Sequence, residues 1–436
     1  MTDSFKLVGA VSGFPEYLPK QQRGFAEAVA RVQAVYEAFG FTPLETAAVE
    51  RAETLLAKGI EAKEVYGLRR MAAEGSEGDK DIALRFDLTV PLARYVVQNQ
   101  NELVFPFRRY QVQPVWRGER AQAGRYRQFY QFDIDTIGDG ALPLAADAEV
   151  LAAGAKALQA LEVGDFVLRV NNRKLLAGLL RWAGFAGDDQ TMAIKLIDDA
   201  EKVGWEKTEA ALAALGSKLS GPLVQVLRAK EPLRVLQEVE LDEEGRAGLT
   251  ELQQVLALAK GMGTAETNIR ADLTIARGLD YYTGTVVETR LAAAPELGSI
   301  MSGGRYDNLA ANLGKKPMPG VGISIGISRL CSWLLAQEPY ASMAASPAAV
   351  LLACQDETLL PHYATVAQQL RAAGVKLEQT FGGKLATQLK NADKKGLRYA
   401  LIIGEQEAAN GTATLKDFAN GTQEVLPLDE VAKRVA

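Results

Sequence analysis

Between residues 105 and 130 the chain carries Arg108, Arg109, Arg117, Arg120, Arg125 and Arg127 against a single acid, Glu119. That is a local net charge of +5 within 436 residues whose overall charge is −5. The choice of arginine over lysine matters. A guanidinium is planar, grips phosphate or carboxylate with two parallel hydrogen bonds, and stays charged at every working pH. Trp116, Tyr126 and Tyr130 are interleaved with the arginines. A charged edge strand guarded only for solubility needs less than this. On alternating strands such residues would share one face, and that face would suit a polyanionic substrate.

The rest of the inventory excludes several chemistries. His362 is the only histidine, and Cys331 and Cys354 are the only cysteines. Zinc sites built on paired histidines or four cysteines are ruled out, and any nucleophile with a histidine base would have to lie beside His362. Neither Gly-x-x-x-x-Gly-Lys-Ser/Thr nor Gly-x-Gly-x-x-Gly occurs, so a nucleotide would bind without either common glycine cradle. The net negative charge excludes a uniformly basic nucleic-acid coat and leaves local patches. A second patch lies between 376 and 398, with net charge +4 and with Phe381 and Tyr399 nearby. Length suggests about three domains. Residues 1–6 lack the apolar core of a secretion signal. The uncharged stretch 339–355 is too short for a membrane span, so a soluble cytoplasmic protein with reduced thiols and no membrane partner is expected.

These residues must be positioned by regular elements. Phe25, Val29, Val32, Tyr36 and Phe39 form one apolar helical stripe between Pro19 and Gly40. Short alternating runs at 82–86, 109–112 and 128–137 predict antiparallel strands. A helix over 144–161 and a strand over 166–170 follow. Residues 172–260 turn leucine- and alanine-rich with helical spacing, which predicts a helical insertion. Strand-like alternation returns at 272–289. A Pro/Ser-marked linker over 340–347 precedes a strand–helix–strand–helix–strand pattern, which predicts a small α/β domain with a largely parallel sheet.

Here the residues resemble a known family. Trp116 to Arg120 with Gly124 to Gln131 is similar to motif 2 of class II aminoacyl-tRNA synthetases in its histidyl form. Arg277-Gly278-Leu279-Asp280-Tyr281-Tyr282-Thr283-Gly284 resembles the signature peptide of histidyl-tRNA synthetases. Residues 302–307 are similar to the family's glycine turn beside the adenosine, 322–329 to motif 3, and the helix from Phe25 with Pro43 to motif 1. Gly383-Lys384-Leu385 and residues 400–405 resemble the anticodon-binding module. The resemblance covers nearly the whole chain.

It implies an α+β architecture: a class II antiparallel sheet with flanking helices, interrupted by a helical insertion and followed by a C-terminal α/β anticodon-binding domain. The implied boundaries are 1–171 and 261–338 for the two parts of the catalytic core, 172–260 for the insertion and 347–436 for the terminal domain. The implied activity is histidine activation by ATP, with magnesium brought by ATP and no metal site of the protein's own, then transfer to histidine tRNA by a homodimer. Arg117 and Arg277 would catalyse at the α-phosphate. Glu119, Arg125, Gly303, Gly304 and Arg329 would complete the ATP site. Asp87 and Thr89 would receive the α-amino group, and Asp135 with Tyr282 would read the imidazole. Gln131, Tyr281 and Arg277 would also touch histidine. Asp87 could equally cap the helix that follows. The other synthetase class needs two histidines in its signature and is excluded by the single one.

Three positions depart from the family pattern. Gly118 and Ala121 stand where relatives carry bulkier residues or proline, from which altered dependence on the extra 5′ guanylate of histidine tRNA is expected. Ser328 precedes Arg329 where an acid is common. Two rival readings are a catalytically inactive, synthetase-like regulatory protein and a class II synthetase for another amino acid. Retention of Arg117, Arg277 and Arg329 argues against the first, Tyr281, Tyr282 and Asp135 against the second.

Overall fold

Alternation in the strands settles which side of the sheet becomes core. The computed structural model describes residues 9–56, 62–69, 81–120, 122, 124–276, 282–307 and 316–435. Contacts divide the chain into two units, one built on Ala28–Trp333 and one on Leu334–Ala436, which also takes in Glu16–Glu27.

In the first unit β1 (Thr42–Pro43) is followed by a two-stranded pair, β2 (Val49–Arg51) and β3 (Ile82–Leu84). The main strands are β4 (Phe107–Trp116), β5 (Gln128–Ile137), β6 (Phe166–Asn172), β7 (Ile269–Ala271), β8 (Thr285–Leu291), β9 (Met301–Tyr306) and β10 (Gly320–Ile325). With β1 they form one sheet in the order β1-β4-β5-β10-β9-β8-β6-β7, antiparallel except at its two edges. The helix predicted from Phe25 runs Pro19–Ala38, and Gly40 closes it with φ +80, a conformation that favours glycine. Its buried positions are Phe25, Ala28, Val32 and Tyr36, with Val29 and Phe39 at the margin of the stripe.

One face of the sheet is apolar. Phe132 of β5 meets Tyr36 edge-on at 5.2 Å between centroids and packs beside Tyr110 of β4. The helix Ala145–Ala160 lies so close on this side that a Cβ on Gly154 would sit 2.3 Å from Ile323 Cδ1. The buried Arg305–Asp147 ion pair, at 2.7 Å, ties β9 to that helix. The opposite face carries Gln131, Asp133 and Asp135 of β5 at alternate positions, with Gln111 and Arg109 across from Asp133 and Asp135 on β4. A polar row on a central strand is costly to bury, and here it marks the functional side.

The segment 173–261 forms six α-helices, from Arg173–Trp182 to Glu243–Gly261. Asn172 caps the first by accepting from the Lys174 and Leu175 N–H groups, and Asp242 caps the last through Gly245 N–H. These two helices cross where glycines face each other, since a Cβ on Gly178 would lie 2.6 Å from Gly245 Cα. Glu201 of this segment bridges Arg169 of β6 (3.0 Å) and Arg290 of β8 (2.6 Å).

The second unit has a five-stranded sheet in the order β12-β11-β13-β14-β15, with β11 (Val350–Ala353), β12 (Leu377–Gln379), β13 (Tyr399–Ile402), β14 (Thr412–Asp417) and β15 (Thr422–Pro427). The first three are parallel, as expected, but β14 and β15 add an antiparallel hairpin, so the sheet is mixed. Asn420-Gly421 turns that hairpin, with Gly421 at φ +68. The linker read over 340–347 is packed: Tyr340 is buried, and Arg23 donates to Ala344 O at 2.6 Å.

Candidate active site

The resemblance assigns two of the cluster's arginines, Arg117 and Arg125, to one site with Arg329 from elsewhere, and the structure brings these three together. Arg117, just after β4, and Arg125, before β5, line one pocket of about 320 Å³ with Arg329 of the helix Ile327–Leu334. The Arg117 guanidinium lies between two rings, 4.4 Å from the Phe86 centroid and 5.1 Å from that of Phe129, and donates to Phe86 O at 3.2 Å. Cation–π contact with two rings restrains it. Arg329 donates to Gly124 O (3.2 Å) and Ser299 O (2.9 Å). Burial, together with Arg125 and Arg117, lowers its pKa. Glu119 lines the same pocket and approaches Arg125 at 3.7 Å. Cations held in one cavity against their mutual repulsion make a site for a polyanion.

The other arginines serve differently, which corrects the expectation of a shared face. Arg108 and Arg109 are neighbours on β4, so they point to opposite sides. Arg108 pairs with Glu149 at 2.9 Å, and Arg109 is wholly buried against Asp135 at 2.6 Å. Arg127 braces the loop by donating to Glu119 O at 3.2 Å, and Arg120 is exposed.

Beyond the pocket the sheet face becomes acidic. Asp135 accepts from Tyr306 Oη at 2.6 Å as well as pairing with Arg109. Burial pushes its carboxyl up to about 6 against the pull of Arg109. Gly322, opposite it on β10, leaves the room it needs: a Cβ there would be 2.0 Å from Asp135 Oδ1. Asp133 is also fully enclosed and is pushed up to about 7, chiefly by burial, with Arg109 lowering it and Asp135 and Asp87 raising it. Asp87 accepts from Val90 N–H at 3.0 Å ahead of the helix Thr89–Gln98, so the capping alternative holds. Burial raises its pKa too. Thr89 opens that helix. Tyr282 is half-buried against Ala93 and Tyr306. Arg277 and Tyr281, with Ala121, lie outside the described residues.

Gly303 and Gly304, expected in a turn, lie inside β9 instead. Gly304 faces the acidic side, where a Cβ would meet Tyr282 Cδ1 at 3.0 Å, and Gly303 faces the apolar one, opposite Ile323. Gly118 is explained by packing, since its N–H donates to Glu64 O at 2.8 Å and a Cβ would be 3.0 Å from Lys63 O. Ser328 is buried and its Oγ accepts from Tyr130 N–H at 2.8 Å, so a neutral hydroxyl ties motif 3 to β5. Sequence reasoning missed Arg109, Asp133, Ser324 and Tyr306. The signal was present for Asp133, which sits between Gln131 and Asp135 in a strand that alternates polar and apolar residues.

Comparison with known proteins bears on the same residues. A family model described as histidyl-tRNA synthetase matches residues 13–330, and one described as anticodon binding domain matches 348–436. The chain belongs to the histidyl-tRNA synthetase family. The histidine–tRNA ligase of Nostoc punctiforme is 40% identical over 455 aligned residues, covering 97% of this chain and 96% of the relative. That of Stenotrophomonas maltophilia is 40% identical, with 96% of each covered. The crystal structure of histidyl-tRNA synthetase from Nostoc sp. PCC 7120 superposes with TM-score 0.88 at 38% identity, covering 98% of both chains. A Bacillus halodurans structure titled as an ATP phosphoribosyltransferase regulatory subunit/histidyl-tRNA synthetase, at 21% identity and TM-score 0.73, covers 88% of this chain and 97% of its own and shares the fold. The synthetase fold is thus the class II one expected, with its sheet, flanking helices and anticodon-binding domain.

Proposed function

We propose that the protein activates L-histidine with ATP and transfers the histidyl group to the 3′ end of histidine tRNA. The observation that carries this reading is the meeting of Arg117, Arg125 and Arg329 at one pocket, on a sheet face whose far end is acidic. An amino acid presents both charges at once. Its carboxylate belongs at the cationic end and its ammonium and ring toward the acids.

In the first step a substrate carboxylate oxygen attacks the α-phosphorus, the bond to the bridging oxygen breaks, and pyrophosphate leaves. In the second a ribose hydroxyl of the tRNA attacks the acyl carbon and AMP leaves. Neither step needs a nucleophile from the enzyme. The barrier to the first is largely repulsion between anions, which fixed guanidinium groups lower. Arg117 would hold the α-phosphate, and Arg277 is assigned the opposing contact by family position. Arg125 and Arg329 would hold the outer phosphates. Glu119 is the one carboxylate on the pocket wall among the described residues, so magnesium arriving with ATP would be held mainly by phosphate and water.

In the terminal unit Phe381 is 69% exposed beside Lys384, and Lys390 and Lys394 are exposed on the helix Leu385–Lys395. Phe381 is our candidate for stacking an unpaired anticodon base, with the lysines on phosphate. Tyr399, the other candidate, is in the core. A cytoplasmic homodimer joined through the helix Pro19–Ala38 completes the reading.

Histidine-dependent ATP–pyrophosphate exchange, followed by charging of histidine tRNA, tests it. Exchange only with histidine is expected. Exchange with another amino acid, or with none, would overturn it.

A further inference from the structure

A chain of hydrogen bonds runs along the polar sheet face through Gln131 and Ser324. Ser324 of β10 stands opposite Asp133 of β5 and opposite Ser302 of β9. Its Oγ accepts from Gln131 Nε2 at 2.9 Å, and its hydroxyl hydrogen-bonds Asp133. A serine hydroxyl has one proton. Once that proton is given to a carboxylate, only lone pairs remain for Gln131, which must then turn its NH₂ end toward the serine. The other end of the amide follows: Gln131 Oε1 is enclosed and has no partner among the described residues. Gln131 and Ser324 both line the arginine pocket. An enclosed amide oxygen without a donor, in a cavity built for a substrate, is an acceptor awaiting one.

We infer that Asp133 and Ser324 are positioning residues, which act through Gln131 by fixing its amide so that Oε1, not the NH₂ group, faces the α-ammonium of the incoming amino acid. The inference rests on the ligase reading. The ammonium is the fitting donor because it is borne by the carbon next to the reacting carboxylate. Gln131 shares its pocket with Arg117, where that carboxylate must lie, whereas Asp135, assigned to the ring, is four residues further along β5. A reversed amide would oppose N–H donors to an ammonium and lose the bond.

The two positioning residues differ in what their loss does. Ser324→Ala frees the amide to rotate. Asp133→Asn does more, because an asparagine NH₂ can donate to Ser324 Oγ, turning the serine proton onto Gln131 and flipping the amide. Asp133→Asn also removes an enclosed carboxylate that burial disfavours, so it does not weaken the fold above pH 7.

The test uses full-length protein in ATP–pyrophosphate exchange at saturating ATP. Ser324→Ala is expected to raise the histidine KM about ten-fold, the size of one charge-assisted hydrogen bond, with kcat and the ATP KM within about two-fold of wild type by the same reasoning. Ser324→Thr keeps the hydroxyl and should restore the KM. Asp133→Asn should raise it further while its thermal midpoint at pH 8 stays at or above wild type. As a second readout, histamine and 4-ethylimidazole differ by the amine alone. The preference for histamine as an inhibitor should collapse in Ser324→Ala. An unchanged histidine KM in Ser324→Ala, or equal weakening of both inhibitors, would overturn the inference while leaving the ligase reading intact. A wild type without histidine-dependent exchange would remove both.

Discussion

The two ends of the polar sheet face solve opposite electrostatic problems in different ways. At one end Arg117, Arg125 and Arg329 converge on a pocket whose only acid among the described residues is Glu119. At the other, Asp87, Asp133 and Asp135 are enclosed, with Arg109 buried against Asp135 and Arg117 reaching Asp87 electrostatically. The cationic end is only partly enclosed, so its repulsion, though felt by Arg329, is more screened than at the acidic end. The acidic end is dry, so its charges must be paired or suppressed. Each end is therefore left short of the charge that one part of the substrates would bring, but only the acidic end stakes the fold on it.

Exchanging the roles of two arginines breaks this comparison most sharply. Arg109→Ala leaves Asp135 without its partner in a dry site and should cost about 3–5 kcal/mol of stability, read as urea or thermal unfolding. Arg117→Ala should fold as well as wild type but lose about 10²–10³-fold in kcat, as when one preorganised charge stabiliser is removed. Equal stability losses in the two variants would mean the ends are not built differently. Gly322→Ala comes next, since its methyl must displace the Asp135 carboxylate. About 1–3 kcal/mol of overpacking cost is expected, with a raised histidine KM and an unchanged ATP KM.

A smaller effect carries the contrast outside the catalytic unit. Phe381→Ala should raise the KM for tRNA by roughly the worth of one stacked base, about 1–3 kcal/mol, and leave pyrophosphate exchange untouched. Tyr399→Ala should instead destabilise, its ring being in the core of that unit.

The mildest probe is pH. Asp133 and Asp135 ionise near 3.8 when unexposed to the fold's constraints and near about 7 and about 6 within it. The folded chain thus holds more protons than the unfolded one in that window, and these groups' contribution to stability is greatest below 3.8 and falls as pH rises through about 6 and 7. An ammonium favours the ionised carboxylates. Histidine KM should accordingly fall from pH 6 to pH 8 while the ATP KM stays flat, and Asp133→Asn should flatten the histidine profile. A histidine KM that rises with pH would contradict the acidic end's role.

Much of this was legible in the chain itself, and what was not has a common cause. The strand Gln128–Ile137 and the helix stripe through Val32 and Tyr36 are local patterns, set by periodicity. The arginine cluster announced an anion site. Which arginines serve it depends on strand parity, and adjacent Arg108 and Arg109 must diverge whatever their chemistry. Ser324 was invisible because its meaning is its register with Asp133, fixed by pairing of strands nearly two hundred residues apart. The hairpin β14–β15 was the avoidable miss, for Asn420-Gly421 between two extended runs is a strong local turn signal.

The slot formed by Phe86 and Phe129 has an energetic corollary for nucleotide capture. A long cationic side chain ordinarily surrenders rotamer freedom when it meets phosphate, a cost of about 2 kcal/mol for arginine. Held over two rings before any ligand arrives, Arg117 has met much of that cost during folding. Its encounter with ATP should therefore register calorimetrically as heat released, with little opposing entropy from the arm that delivers the charge.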